Sequence, residues 1–214
     1  PVFICGMFRS GSPLVEQVLA AHPAFTPAGE REVFPRVVAS ALPGYPDGLD
    51  SVGGEQLRDW AHAYSAESER VFGRGARLTD KRPDNFLYLG LIKAMFPRAR
   101  IVVTRRDWRD VATSVFATRL GPAAAYSTDL RHIRHYIGQH DRLIDHWRAL
   151  FGDDLVTVQY ETLIAEPRAT IERLLAACRA AGIPVIHVKP AEDLPRRRKG
   201  SPRHPTPDAA ADPE

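Results

Sequence analysis

Cysteine is scarce. Cys5 and Cys178 are the only two in 214 residues, which excludes a disulfide framework and a cysteine-based zinc site. Cys5 falls in an apolar stretch and reads as a small core residue, and the expected setting is a reducing cytoplasm. No apolar run approaches the roughly 20 residues that cross a bilayer, so no membrane partner is expected. The first residues lack the basic start and cleavage site of a signal peptide. A chain that opens on Pro1 and then a strand reads as a fragment, or as one from which an upstream part was removed. An excess of one charge is missing as well. Lys and Arg number 29 against 26 Asp and Glu, a net charge of +3, which suits an anionic ligand without selecting one. One basic run at residues 196–199, with no interleaved aromatics, does not make a nucleic-acid surface. His132, His135, His140 and His146 share one helical segment without an acidic partner at ligand spacing. They are expected to be solvated helix residues, and no metal site is expected.

What the chain does have is a soluble composition, 44% hydrophobic and 26% charged, and a length suited to one α/β domain with a sizeable core. Short β-branched, apolar runs at 2–5, 101–104 and 155–159 predict buried strands, with a further strand end at 78–79. Helical spacing of apolar residues predicts helices over 14–21, 55–72, 85–96, 107–119, 130–150 and 167–181. The stretch 40–54, rich in Gly, Pro and Asp, predicts a loop. Strands that alternate with helices imply a mainly parallel sheet flanked by helices. The domain is expected over residues 1–183, followed by a Pro- and Arg-rich tail at 184–214 that reads as flexible.

Three stretches carry chemistry. The first, "GMFRSGSP" at 6–13, follows a strand and opens a helix. Gly6 and Gly11 have the spacing of a phosphate loop, which would continue with Lys and Ser/Thr. Here it continues with Ser12 and Pro13. Backbone N–H groups at a helix start still make a phosphate site, and Arg9, Ser10 and Ser12 can add contacts. No lysine reaches a γ-phosphate and no hydroxyl at residue 13 holds Mg²⁺, so metal-dependent NTP hydrolysis is disfavoured. The second is "TRRDWRDVATS" at 104–114. Arg106 lies at the carboxyl end of a strand, where α/β sheets bind ligands, and Ser114 lies about two helical turns on. Together they can clamp a second phosphate; equally, Arg105, Arg106 and Arg109 can pair with Asp107 and Asp110. The third is "TDKRPDN" at 79–85, which can project Lys81 over the same edge or leave it solvated.

Taken together these stretches resemble PAPS-dependent sulfotransferases, closest to the tyrosylprotein-sulfotransferase-like and bacterial branch. The matching text is "GMFRSGSPLVEQVLAAHP", "GERE", "DKRPDNFLYLGLIKAMFPRARIVVTRRDWRDVATSVF" and "HWRALFGDDLVTVQYETLIAEP", in order over about residues 2–180. The resemblance implies a P-loop-like three-layer sandwich that uses PAPS, releases PAP and needs no metal. It implies that Arg9, Ser10, Gly11 and Ser12 hold the donor's 5′-phosphate, and that Arg106 and Ser114 hold its 3′-phosphate. Tyr160 would lie near the nucleotide. Glu30 would be the general base, with Glu32 as the alternative, and Lys81 and Arg9 would stabilise the transferring group. The acceptor would be a hydroxyl or amine on a small molecule, peptide or glycan. The sequence leaves the oligomeric state open, a homodimer included.

The family usually carries Pro at position 8 and Thr at 12 and 13, where this chain has Phe8, Ser12 and Pro13. Pro13 removes one N–H and one hydroxyl from the cradle, although proline fits the first turn of a helix. The tail does not match the segment with which the family closes over the nucleotide. Two other readings therefore stand beside the first. One is a non-catalytic or impaired PAP/PAPS-binding remnant. The other is a nucleotide or nucleoside kinase on a degenerate phosphate loop.

Overall fold

The computed structural model describes residues 1–118, 120–180 and 182–183; the predicted tail lies outside the described residues. Among the described residues are five strands, β1 (Val2–Gly6), β2 (Thr26–Gly29), β3 (Leu78–Lys81), β4 (Arg100–Arg105) and β5 (Leu155–Gln159). They form one wholly parallel sheet in the order β2-β3-β1-β4-β5. The described α-helices flank it: α1 (Ser12–Ala20), α2 (Val33–Ala41), α3 (Gly54–Phe72), α4 (Leu89–Met95), α5 (Trp108–Thr118), α6 (Leu130–Phe151), α7 (Tyr160–Ala165) and α8 (Pro167–Ala180). This is the expected three-layer α/β sandwich.

β1 is central and every residue in it is buried, because helices cover both faces of the sheet. The period of two sorts its side chains. Val2 and Ile4, with Val102 and Val158, meet Val15 and Leu19 of α1 and Leu174, Leu175 and Cys178 of α8. Phe3 and Cys5, with Ile101 and Val103, meet Phe34 of α2, Tyr64 of α3, Leu91 and Ile92 of α4 and Ile144 of α6. Phe3 packs edge-on to Phe34 with ring centroids 5.5 Å apart. A third cluster joins Met7 to Val111 and Val115 of α5 and Ile133 and Ile137 of α6.

α6 is the longest helix. Asp129 caps it, its carboxylate accepting from the amides of Arg131 at 2.7 Å and His132 at 3.4 Å. Its buried stripe runs Ile133, Ile137, His140 and Ile144. The expectation that the α6 histidines are solvated is therefore corrected for His140. That residue is buried and stands edge-on to Phe86 at 4.7 Å.

Several elements were not expected from sequence. β2 and α2 occupy a stretch without a strong pattern, and a 3₁₀ turn at Asp47–Ser51 lies in the expected loop. The expected helix over 85–96 is a 3₁₀ segment, Pro83–Tyr88, followed by α4. β2 reads Thr-Pro-Ala-Gly and pairs only with β3, so backbone bonding and not an apolar run makes it a strand. α2 has Pro35 in its first turn, where proline is tolerated but blurs the helical signal.

Candidate functional site

The connection from β1 leads outward to β2, whereas β3 crosses to β4 on the other side. The carboxyl end of β1 is thus the crevice at which connections part, the usual ligand position in such sheets. The loop at residues 7–11 occupies it. The Ser10 amide donates to the Met7 carbonyl at 3.1 Å, which closes the turn. Gly11 caps α1 with φ +98° and no side-chain cap. A Cβ there would lie 2.7 Å from Cδ2 of Tyr160, so the position demands glycine both by conformation and by space. The amides of Leu14 and Val15 turn to the Gly11 carbonyl at 3.0 and 3.2 Å. With those two amides engaged, the amides of Gly11 and Ser12, which have no backbone acceptor among the described residues, and the positive end of α1 make the cradle for an anion. Pro13 sits in the first turn without disturbing it, and it contributes no N–H.

The loop is fastened to β4 and α5. The Ser10 hydroxyl bonds the Met7 carbonyl at 2.6 Å and Thr104 Oγ1 at 2.7 Å, and Thr104 also donates to the Cys5 carbonyl at 3.2 Å. Ser10 is buried. Its hydroxyl, expected at the ligand, is committed to the scaffold, as is its amide, so Ser10 shapes the loop around the cradle. Ser12 is buried at the helix start. Arg9 adopts φ +70°, a conformation rare outside glycine, and donates through Nε to Ser114 Oγ at 2.9 Å.

Arg106 follows the end of β4. Its guanidinium lies 4.7 Å over the Tyr160 ring, donates through Nη1 to the Arg9 carbonyl at 3.5 Å and pairs with Asp110 at 3.1 Å. Its Nε is buried without a partner, so donor capacity remains. Arg105 pairs with Asp141 at 3.0 Å and Arg109 with Asp107 at 3.6 Å. The surface ion pairs and the cluster at the loop therefore coexist, and Arg106 serves both.

Lys81 ends β3 and is buried; its Nζ donates to Glu30 Oε1 at 2.6 Å. Glu30 itself is 48% exposed. Glu32 faces elsewhere: it meets Arg82 at 3.6 Å, and Arg82 also binds Asp84 at 2.6 Å. Of the two glutamates, Glu30 is the one brought to the loop. An open cavity of about 320 Å³ is bordered by Arg9, Gly11, Ser12, Glu30 and Arg106, with Phe8, Pro83 and Leu120 as an apolar wall. A second cavity, about 470 Å³, lies on the α5–α6 side and also includes Arg106. Neither Gly11 nor Glu30 borders it, so of these two cavities the first is where the anion cradle and the carboxylate meet.

Beneath the site lies a polar layer that sequence reading missed. Asp80 Oδ2 accepts from the Tyr64 hydroxyl at 3.0 Å, and Oδ1 accepts from Asn85 Nδ2 at 3.2 Å. Burial pushes the Asp80 carboxyl up to about 6, against the pull of those two hydrogen bonds and of Arg31. Glu16 on α1 is likewise held above the usual carboxylate range by burial. Its Oε1 accepts from the Gly29 amide at 3.1 Å and the Thr79 hydroxyl at 3.2 Å. The available signal was polar residues, Thr79 and Asp80, inside a fully buried strand.

A family model described as "Sulfotransferase family" matches residues 1–184. An uncharacterized protein of Aquifex aeolicus (strain VF5) is 34% identical over 197 residues, which is 83% of this chain and 25% of that protein. Protein-tyrosine sulfotransferase 1 of Danio rerio is 28% identical over 185 residues, 81% of this chain and 51% of that protein. The chain thus spans between a quarter and about half the length of these relatives. Among solved structures, the sulfotransferase domain of the Synechococcus PCC 7002 olefin synthase superposes with a TM-score of 0.60 at 21% identity. That match covers 85% of this chain and 72% of that one.

Proposed function

Because the chain belongs to the sulfotransferase family, we propose that residues 1–183 form a domain that transfers a sulfuryl group from PAPS to an acceptor hydroxyl or amine. The observation that carries the reading is Glu30, paired with the buried Lys81 at 2.6 Å, bordering one cavity with the anion cradle and Arg106. PAPS carries a 5′-phosphosulfate and a 3′-phosphate. The residues present fit such a ligand: the Gly11 and Ser12 amides at a helix start for one anion, and Arg9, Arg106 and Ser114 latched together for another. Tyr160 stacks on Arg106 and offers its ring at the same edge.

In the proposed reaction the acceptor oxygen forms a bond to sulfur as the bond from sulfur to the phosphate oxygen breaks. The electron pair of that bond leaves with PAP, and the acceptor proton goes to Glu30. Oε1 of Glu30 is bonded to Lys81, which leaves Oε2 to take the proton. Lys81 and Arg9 stabilise charge on the leaving oxygen and the transferring oxygens. A monophosphate end held by amides and guanidinia requires no lysine at position 12. The apolar wall of Phe8, Pro83 and Leu120 suits an acceptor whose hydroxyl sits on an apolar body.

A kinase would need a phosphate-loop lysine and a hydroxyl for Mg²⁺, where this chain has Ser12 and Pro13. The intact Glu30–Lys81 pair weighs against a non-catalytic remnant. Cys5 and Cys178 are both free and buried, which supports a reducing, cytoplasmic setting for the reaction. Among the described residues no helix is long and apolar enough to cross a membrane. The test is transfer from ³⁵S-labelled PAPS to a panel of phenols, carbohydrates, amines and tyrosine peptides. Label is expected in at least one class and absent from all with Glu30→Gln; PAP binding with no transfer to any class would support the remnant instead.

A further inference from the structure

β2 does not run regularly into the site. Pro27 pairs with Thr79 and Gly29 with Asp80, so Ala28 is an extra residue in the β2 edge. Such bulges redirect a strand and re-aim the side chain that follows. Gly29 has φ +63°, a turn that glycine makes without strain, and the next residue is Glu30. At this irregular register the Gly29 amide donates to Oε1 of Glu16 at 3.1 Å. The same oxygen accepts from the Thr79 hydroxyl at 3.2 Å. Thr79 lies two residues before Lys81, on the same face of β3. Glu16 lies one helical turn after Ser12 in α1. It is 9% exposed.

One carboxylate therefore joins three parts: the helix whose first turn forms the anion cradle, the bulge that aims Glu30, and the strand that ends in Lys81. Both Glu30 and Lys81 lie close enough to act on it electrostatically. Without Glu16 as acceptor the half-buried Gly29 N–H would lose its side-chain partner, a state the backbone escapes by moving. The movement would fall directly on Glu30.

We propose that Glu16 is a positioning residue: it ties the bulged end of β2 to the donor-binding helix and so sets the Glu30 carboxylate against Lys81. The inference rests on the sulfuryl-transfer reading for the roles of Glu30 and Lys81. Hydrogen-bond acceptance carries it, so Glu16→Gln, which keeps a carbonyl oxygen, separates from Glu16→Leu, which does not.

The experiment compares both variants with the unaltered protein in three measurements. They are PAP affinity by calorimetry, amide hydrogen exchange of the segment 26–32, and kcat and KM for transfer from PAPS to whichever acceptor class takes label. For Glu16→Leu, PAP affinity is expected to stay within about threefold, exchange over 26–32 to quicken about tenfold, and kcat to fall at least about tenfold. Glu16→Gln is expected to behave as the unaltered protein in all three. Unchanged exchange and kcat in Glu16→Leu would overturn the inference; so would a Glu16→Gln variant as impaired as Glu16→Leu, because the charge would then be what matters. If Glu16→Leu fails to fold, Glu16→Asp, one methylene short of Gly29, takes its place with the same expected losses. PAP binding by the unaltered protein separates the two levels. Its absence defeats the functional reading, whereas binding with unchanged exchange in the variant defeats only the role of Glu16.

Discussion

Replacing Asp80 by Asn should stabilise the protein relative to the unaltered chain, and increasingly so as pH rises from acid to neutral. Asp80 is fully buried, and burial lifts its carboxyl from the ordinary 3.8 to about 6. The folded state thus holds the Asp80 proton more tightly than the unfolded state does. Its contribution to stability is fully present below about pH 3.8 and is lost as pH rises through about 6. Two units of displacement correspond to about 3 kcal/mol in total, and about 2 kcal/mol of that falls between about pH 4.5 and 7.5. Asn does not titrate and nearly matches the shape. Its carbonyl can accept from the Tyr64 hydroxyl, which now bonds Asp80 at 3.0 Å. Its amide meets Asn85, whose Oδ1 is buried without a partner and can receive it once the Asn85 amide turns over. The assay is urea unfolding of both proteins at the two pH values, with equal m-values as the check on two-state behaviour. The stability gap, variant minus unaltered, should widen by about 2 kcal/mol between acid and neutral pH. A gap that stays constant, or narrows as pH rises, would refute the reasoning that burial is what governs this carboxyl.

Arg106→Ala should weaken PAP binding by about tenfold to a hundredfold, the loss of one or two charge-assisted bonds, while shifting Tm only modestly because its one ion pair is to the exposed Asp110; calorimetry and a thermal melt check both. Pro13→Thr restores an N–H and a hydroxyl at a position where the helix tolerates either residue, and PAP affinity should rise by roughly tenfold or more. Glu30→Gln should abolish transfer with PAP affinity nearly unchanged. Glu32→Gln should spare transfer, because Glu32 is held by Arg82; the reverse pattern in a labelled-PAPS assay would exchange the two roles.

The parts of the fold that could be read from sequence are those whose signal is local. β1 and β4 are buried on both faces and show as apolar runs. α6 shows through its spaced isoleucines. The loop shows through two glycines at fixed spacing, and the ring of Tyr160 explains why one of them must be glycine. β2 stayed hidden because Thr-Pro-Ala-Gly becomes a strand only by pairing with β3. The Glu30–Lys81 contact joins residues 51 apart, and the Ser10–Thr104 contact residues 94 apart. Neither has a local signature; only the family resemblance pointed to the first, and nothing pointed to the second. His140 is a different case. It continues the stripe of Ile133, Ile137 and Ile144, so its burial was legible in the periodicity and was obscured by expecting a titratable residue to be solvated.

We propose that this domain binds a 3′,5′-bisphosphorylated adenosine at the start of α1. Calorimetric titration with PAP tests it most directly, with MgATP as the comparison. Saturable heat with PAP, lost or strongly weakened in Arg106→Ala, and none with MgATP, is the predicted result. Absence of heat and of any thermal shift at millimolar PAP would contradict it.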